Sequence, residues 1–185
     1  MTVLAESSHS SPGRSTSFVA SIIDKLILLC AIVPYAVVAV GLRLVIARVF
    51  FLDGQSKIDG PTLPLDLSGV LSGVLNQTIV LPAQIKDSTF QLFQTQYAGL
   101  PLAPTTAAYL FTYAEFVLPV LLVLGFATRF AAVGLFAMTV LLSVYVMPQA
   151  FWSLHVYWAA ILLVLMSLGA GAISVDTAIR KLFEK

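Results

Sequence analysis

One stretch narrows what this chain can become more than any other. It is the apolar run Tyr109-Leu-Phe-Thr-Tyr-Ala-Glu-Phe-Val-Leu-Pro-Val-Leu-Leu-Val-Leu-Gly125, with a single carboxylate, Glu115, near its middle. With its flanks it is long enough to cross a bilayer, which takes about 20 apolar residues. Inside lipid every backbone N–H and C=O must find a partner within the segment, so such a run has to be helical. Pro119 stands four residues after Glu115. Lacking an N–H, it leaves the Glu115 carbonyl without its helical partner. One turn therefore holds a charge and a free acceptor where water is scarce. An ionisable side chain at that depth is costly, and it marks a function or a partner.

Composition agrees with a membrane setting. Of 185 residues, 59% are hydrophobic and 10% charged, against about 25% charged in soluble domains. The net charge of +1 gives no electrostatic footprint for nucleic acid. The single cysteine, Cys30, excludes an intramolecular disulfide and a CxxC redox pair. His9 and His155 are too far apart to hold a haem together. No metal site and no covalently bound cofactor is expected, so redox chemistry would need a bound cofactor, a quinone or a partner chain.

In chain order, residues 1–20 are Ser-rich and polar and read as a disordered tail, without the pattern of a cleaved signal peptide. Residues 21–33, ended by Pro34, are short for a span and read as an interfacial helix. The alternative is one long Pro-kinked helix over Ile22–Leu52. Four spans then follow, over about 34–57, 105–126, 130–147 and 154–174. The fold class is thus an all-α, four-transmembrane-helix bundle occupying 34–185. The connection 58–104 is the one long loop. Thr78-Ile-Val-Leu can form a short strand there, and Asp87–Tyr97 has the look of a capped amphipathic helix with Phe90 and Phe93 on one face. Trp152, Tyr157 and Trp158 around the last turn match an interfacial aromatic belt.

The charges suggest both an ion pair and an orientation. Arg43 lies roughly 14 Å from the start of its helix, and Glu115 roughly 13 Å from the opposite surface, at about 1.5 Å per residue. In antiparallel neighbours Arg43 and Arg48 would bracket Glu115; the plainer alternative is that both arginines snorkel to the headgroups. Arg14, Lys25, Arg129, Arg180, Lys181 and Lys185 fall on one side. Lys57 and Lys86, offset by aspartates, fall on the other. The positive-inside rule then puts both termini in the cytoplasm and the 58–104 loop outside.

Several stretches form a recognisable set. They are Leu42-Arg-Leu-Val-Ile-Ala-Arg-Val-Phe-Phe-Leu-Asp-Gly-Gln-Ser-Lys57, Ser88-Thr-Phe-Gln-Leu-Phe with Tyr97, and the series Ala114-Glu-Phe-Val-Leu-Pro to Gly125-Phe-Ala-Thr-Arg129. With His155 and Leu168-Gly-Ala-Gly-Ala-Ile-Ser-Val-Asp176 they resemble the DoxX family of bacterial membrane proteins, over roughly 34–180. Many members carry His directly after the glutamate, where Phe116 stands here. The resemblance implies a four-helix protein of the bacterial cytoplasmic (inner) membrane. Some members are linked to quinone-coupled oxidation such as thiosulfate:quinone oxidoreductase, and others to complexes handling oxidative stress.

Three functions fit. The first is a membrane subunit of an oxidoreductase or respiratory-type complex, not catalytic alone, with a quinone site among Arg43, Arg48, Lys57, Tyr113 and Glu115. Burial favours the neutral carboxyl and a neighbouring cation the carboxylate, and that balance decides whether Glu115 can carry protons. The second is a structural accessory subunit or homo-oligomer, with Gly125, Gly134, Gly169 and Gly171 as lateral packing faces and Arg129, Asp176 and His155 at interfaces; Arg129 and Asp176 form either a docking pair or an intramolecular clamp. The third is a small-molecule or metal-stress binding or transport protein, against which stands the lack of an internal repeat.

Overall fold

The computed structural model describes residues 20–25, 34–65 and 77–183. Residues 20–25, taken by themselves, are helical (α1). The expected tail, the rest of the 21–33 helix and the middle of the long loop lie outside the described residues.

Among the described residues, four helical segments are long and apolar enough to cross a membrane. The first is α2, Tyr35–Lys57, whose 23 residues rise about 34 Å, enough for a hydrocarbon layer of about 30 Å. The second is α4, Pro104–Leu124, with Pro119 inside it. Pro104 supplies the preset φ of a first helical turn, and Gly125 ends the helix in the left-handed region at φ 69°. The third is α5, Thr128–Leu141, prolonged by a π-helical turn over Leu142–Val146. The fourth opens with a 3₁₀ turn, Pro148–Ala150, and a second π turn, Phe151–His155. It then runs as α6, Val156–Leu168. This fourth segment starts and ends about six residues earlier than the sequence suggests, because Gly169 at φ 79° stops it. A short amphipathic helix, α7, follows over Val175–Phe183.

The four segments pack as a ring: α2 on α4, α4 on α5, α5 on α6 and α6 back on α2. Large side chains such as Phe50, Phe111, Leu122, Leu135 and Leu162 fill the centre. Fully buried alanine pairs, Ala107 with Ala108 and Ala131 with Ala132, bring the backbones close. The outer faces carry Leu44, Val45, Leu110, Val117, Val133 and Leu163, an apolar surface suited to lipid. The glycines expected on lateral faces are used inside the molecule instead. Gly134 meets Leu118, Gly169 meets Arg129, and Gly171 meets Ala36 and Ala39.

The register of α2 against α4 positions the site. Gly54 lies against Glu115, and Gly125 lies against Arg43, so the two helices run antiparallel. The first turns of α4 consequently project past the end of α2. A cap covers them, built from the connection that the sequence presents as a long loop. Strand β1, Ile58–Asp59, pairs antiparallel with β4, Gln84–Ile85. Strand β2, Thr62–Leu65, pairs with β3, Gln77–Val80. Helix α3, Asp87–Thr95, then lies on α4, with Phe90 against Tyr109 at 5.4 Å and Phe93 against Phe111 at 5.8 Å between ring centroids. Asp87 is not the side-chain cap of α3; it sits within the first turn, where its charge suits the positive helix end.

Candidate functional site

At the cap end, Lys57 closes α2 and is only 4% exposed, while Glu115 on α4 is 1% exposed. The ammonium Nζ donates to Glu115 Oε1 at 2.7 Å, to Glu115 Oε2 at 2.5 Å and to Asp53 Oδ2 at 2.9 Å. An ammonium has three protons, so its capacity is met. Asp53 lies one turn before Lys57 on the same helix, the spacing at which helical side chains meet. Gly54 makes the approach of α4 possible: a Cβ there would stand 3.0 Å from the Glu115 Cβ and 3.1 Å from its carbonyl oxygen. The Lys57 carbonyl in turn accepts from Thr89 Oγ1 at 3.0 Å and from the Lys86 N–H at 3.1 Å, which hangs α3 on the pair. The Phe93 and Tyr97 rings stand 5.9 and 6.0 Å from Nζ, at the edge of cation–π range.

Of this triad Asp53 alone reaches outward, with 51% of its side chain exposed. It opens onto a cleft of about 430 Å³ whose other lining includes Phe50, Tyr97, Met147, His155 and Trp158. That volume lies in the range of small-molecule sites, roughly 300–1,000 Å³. Trp158 packs against Phe50 at 5.3 Å and His155 at 5.4 Å between ring centroids, so aromatic rings form the walls. His155 is buried, and its Nδ1 lies 2.9 Å from Ser143 Oγ. Ser143 gives its one proton to the Thr139 carbonyl at 2.6 Å. Nδ1 is therefore the donor to Ser143, and Nε2 of the neutral ring is left as an acceptor. Burial pushes the Tyr97 phenol above its usual range, against the opposing pull of Lys57. Tyr97 is thus a neutral donor at physiological pH.

Both π turns serve this cleft, the first carrying Ser143 and the second His155. Single π turns within helices recur at functional sites because the extra residue re-aims a side chain.

At the other end of the bundle Arg43 is buried against carbonyls. Its Nε donates to Ala39 O at 3.3 Å and its Nη2 to Ile173 O at 2.6 Å, while Nη1 has no partner among the described residues. Asp176, at the start of α7, accepts from the N–H groups of Ala127 at 2.8 Å and Thr128 at 3.2 Å, and its own N–H donates to Gly125 O at 3.0 Å. It is the cap of α5, and this accounts for the left-handed Ala127 at φ 47° tolerated just before that helix.

The structure divides the residues expected to form one cluster. Lys57 and Glu115 meet. Arg43 and Arg48 do not bracket Glu115, because the α2–α4 register puts Gly54 opposite it and carries Arg43 to Gly125. Arg48 is exposed on the outer face of α2 beside Leu44 and Val45. Tyr113 also faces outward, stacked on Tyr109 at 6.4 Å. No Arg129–Asp176 ion pair forms among the described residues, since the carboxylate is taken by backbone N–H groups. Sequence reasoning missed Asp53, Tyr97, Ser143 and Trp158 as site residues. Only Asp53 carried a local signal, its four-residue spacing from Lys57.

The DoxX family model matches residues 38–148, which hold the buried triad, the cap and Ser143. No curated protein and no solved structure matches the chain.

Proposed function

The chain belongs to the DoxX family of membrane proteins, and from that premise we propose that it is a membrane subunit of a redox complex, holding a quinone-sized aromatic molecule in the cleft lined by Tyr97, His155 and Trp158. The observation that carries this reading is the joining of two things in one cleft. Aromatic walls stand beside a phenol donor and an imidazole acceptor, and the wall includes Asp53, the exposed member of the buried Lys57–Glu115 triad.

A quinone, when bound, supplies electron acceptance coupled to proton uptake. The chain's own residues supply the rest. Tyr97 O–H donates a hydrogen bond to a carbonyl, His155 Nε2 accepts one from a hydroxyl, and Phe50 and Trp158 exclude water. Asp53 lines the cleft while bonded to Lys57, so its carboxylate gives a polar route from the cleft to the buried pair. On this reading a partner chain delivers the electrons. The location that goes with this reading is the bacterial cytoplasmic membrane, with both termini inside and the cap outside.

Trp158 reports on the site. In a Trp152→Phe background it is the sole tryptophan, since the chain has two. A short-chain quinone analogue should quench its fluorescence saturably. Tyr97→Phe and His155→Ala should each weaken binding about tenfold, as expected for one lost hydrogen bond of about 1.5 kcal/mol. Quenching that is absent, or equal in all three proteins, removes the site.

A second reading, that of an accessory subunit, has its own observation. Arg48 is exposed about 20 Å along α2, among Val37, Leu44 and Val45. A guanidinium facing lipid at that depth is costly, and an acidic side chain on a neighbouring span would relieve it. Arg48→Ala should then release the partner from the complex while leaving quinone-analogue binding intact.

A further inference from the structure

At the end of the bundle opposite the cap, a second cleft of about 470 Å³ opens between the α4–α5 turn and the segment linking α6 to α7. Its lining includes Arg129, Arg180, Thr128, Ser174 and Thr177. Neither arginine forms an ion pair among the described residues. The carboxylate in the lining, Asp176, is engaged by the N–H groups of Ala127 and Thr128. Thr128 is fully buried, yet its Oγ1 has no partner among the described residues. The Arg43 guanidinium stands against Gly125, next to the lining residue Ser174, and its hydrogen bonds go to the carbonyls of Ala39 and Ile173. Three guanidiniums therefore gather around one carboxylate that is already used.

Like charges gathered at one cleft repel one another, and the buried charge of Arg43 beside them is costly unless something compensates it. We propose that this cleft binds a phosphate-bearing anion, with Arg129 and Arg180 as its charged donors and the hydroxyls of the lining as neutral ones. Guanidinium forks match a phosphate, which presents several acceptor oxygens at once, better than they match a small halide. Two sources share this chemistry, a phospholipid headgroup and free phosphate. The surroundings favour the lipid. Phe130, 81% exposed, and Leu168 flank the cleft. Helix α7 presents Leu182 and Phe183 beside Arg180 and Lys181, the pattern of a helix lying in a membrane interface.

The test uses the full chain purified in a neutral detergent. Native mass spectrometry with phosphatidylglycerol and equilibrium binding of inorganic phosphate are run on the wild type and on Arg129→Gln/Arg180→Gln. Both arginines are exposed, so the variant should fold, and its thermal unfolding without ligand checks that. Arg129→Lys/Arg180→Lys keeps the charge and removes the forks. The expected result is one phosphatidylglycerol retained per protomer, at least tenfold weaker in the Gln variant and intermediate in the Lys variant. Phosphate binding with the same variant dependence, without lipid retention, assigns the site to the free anion. Equal lipid retention in wild type and Gln variant, together with no phosphate binding, overturns the proposal.

Discussion

Helix α2 buries two cations, Lys57 in its last turn and Arg43 about 12 Å from its start, and the two are treated in opposite ways. Lys57 gives its protons to carboxylates, two contacts to Glu115 and one to Asp53. Arg43, just as buried, finds among the described residues only the carbonyls of Ala39 and Ile173, and its Nη1 has no partner there. The Lys57–Glu115 pair is close to neutral as a unit, so its burial is tolerable so long as its geometry holds. A guanidinium stays protonated in a protein, and partial charges on carbonyls do not cancel it. Burial alone therefore says little about what an intramembrane charge is for; the partner decides. A closed pair ties helices together, and an open cation waits for something.

If that contrast is right, the largest effect belongs to the closed pair. Glu115→Ala leaves Lys57 buried with Asp53 alone and should cost about 3–5 kcal/mol in detergent unfolding. The double variant Lys57→Met/Glu115→Met, which removes both charges, should recover most of that loss. Should Glu115→Ala unfold at the wild-type midpoint, the pair does not hold α2 on α4. Next comes the backbone contact that admits the pair. Gly54→Ala must push against the Glu115 Cβ and carbonyl, and overpacking of this kind costs about 1–3 kcal/mol.

Arg43→Met should cost less than either, about 1 kcal/mol, because two charged hydrogen bonds are lost but an uncompensated charge goes with them. A loss as large as that of Glu115→Ala would erase the distinction between the two ends. The smallest effect is at Tyr97. Its phenol is raised by burial, so its contribution is fully present below the unfolded tyrosine value of about 10. That contribution fades only as pH rises through the higher folded value. Comparing wild type with Tyr97→Phe from pH 8 to 12 should show a difference that is constant up to about pH 10 and changes only above it, with wild type losing stability relative to the variant.

The spans were legible because apolar length is a local property, and so were the resemblance and the need of Glu115 for a buried partner. The partner of Glu115 was not. Counting residues from each helix start sets depth only if each helix starts at a membrane surface, whereas α4 begins well beyond the end of α2, under a cap. That offset is fixed by contacts such as Gly54 on Glu115 and Phe93 on Phe111, which join distant parts of the chain. The cleft was hidden for a related reason. Ser143 and His155 face each other through two π turns, and a hydrophobic run does not reveal where a helix takes an extra residue. Asp176 looked like a partner for Arg129 because opposite charges invite pairing, but the α5 N-terminus offered it two N–H groups.

That last arrangement bears on how the chain is assembled. The turn joining the second and third spans is closed by Asp176, 49 residues downstream of Ala127. During synthesis both spans can enter the bilayer while the segment that caps their junction is still unmade. The hairpin must wait, with the N–H groups at the start of α5 open to water or headgroups, until α7 emerges and latches it. Insertion and completion are thus separate events, and the second is timed by the synthesis of α7 rather than by the arrival of the spans.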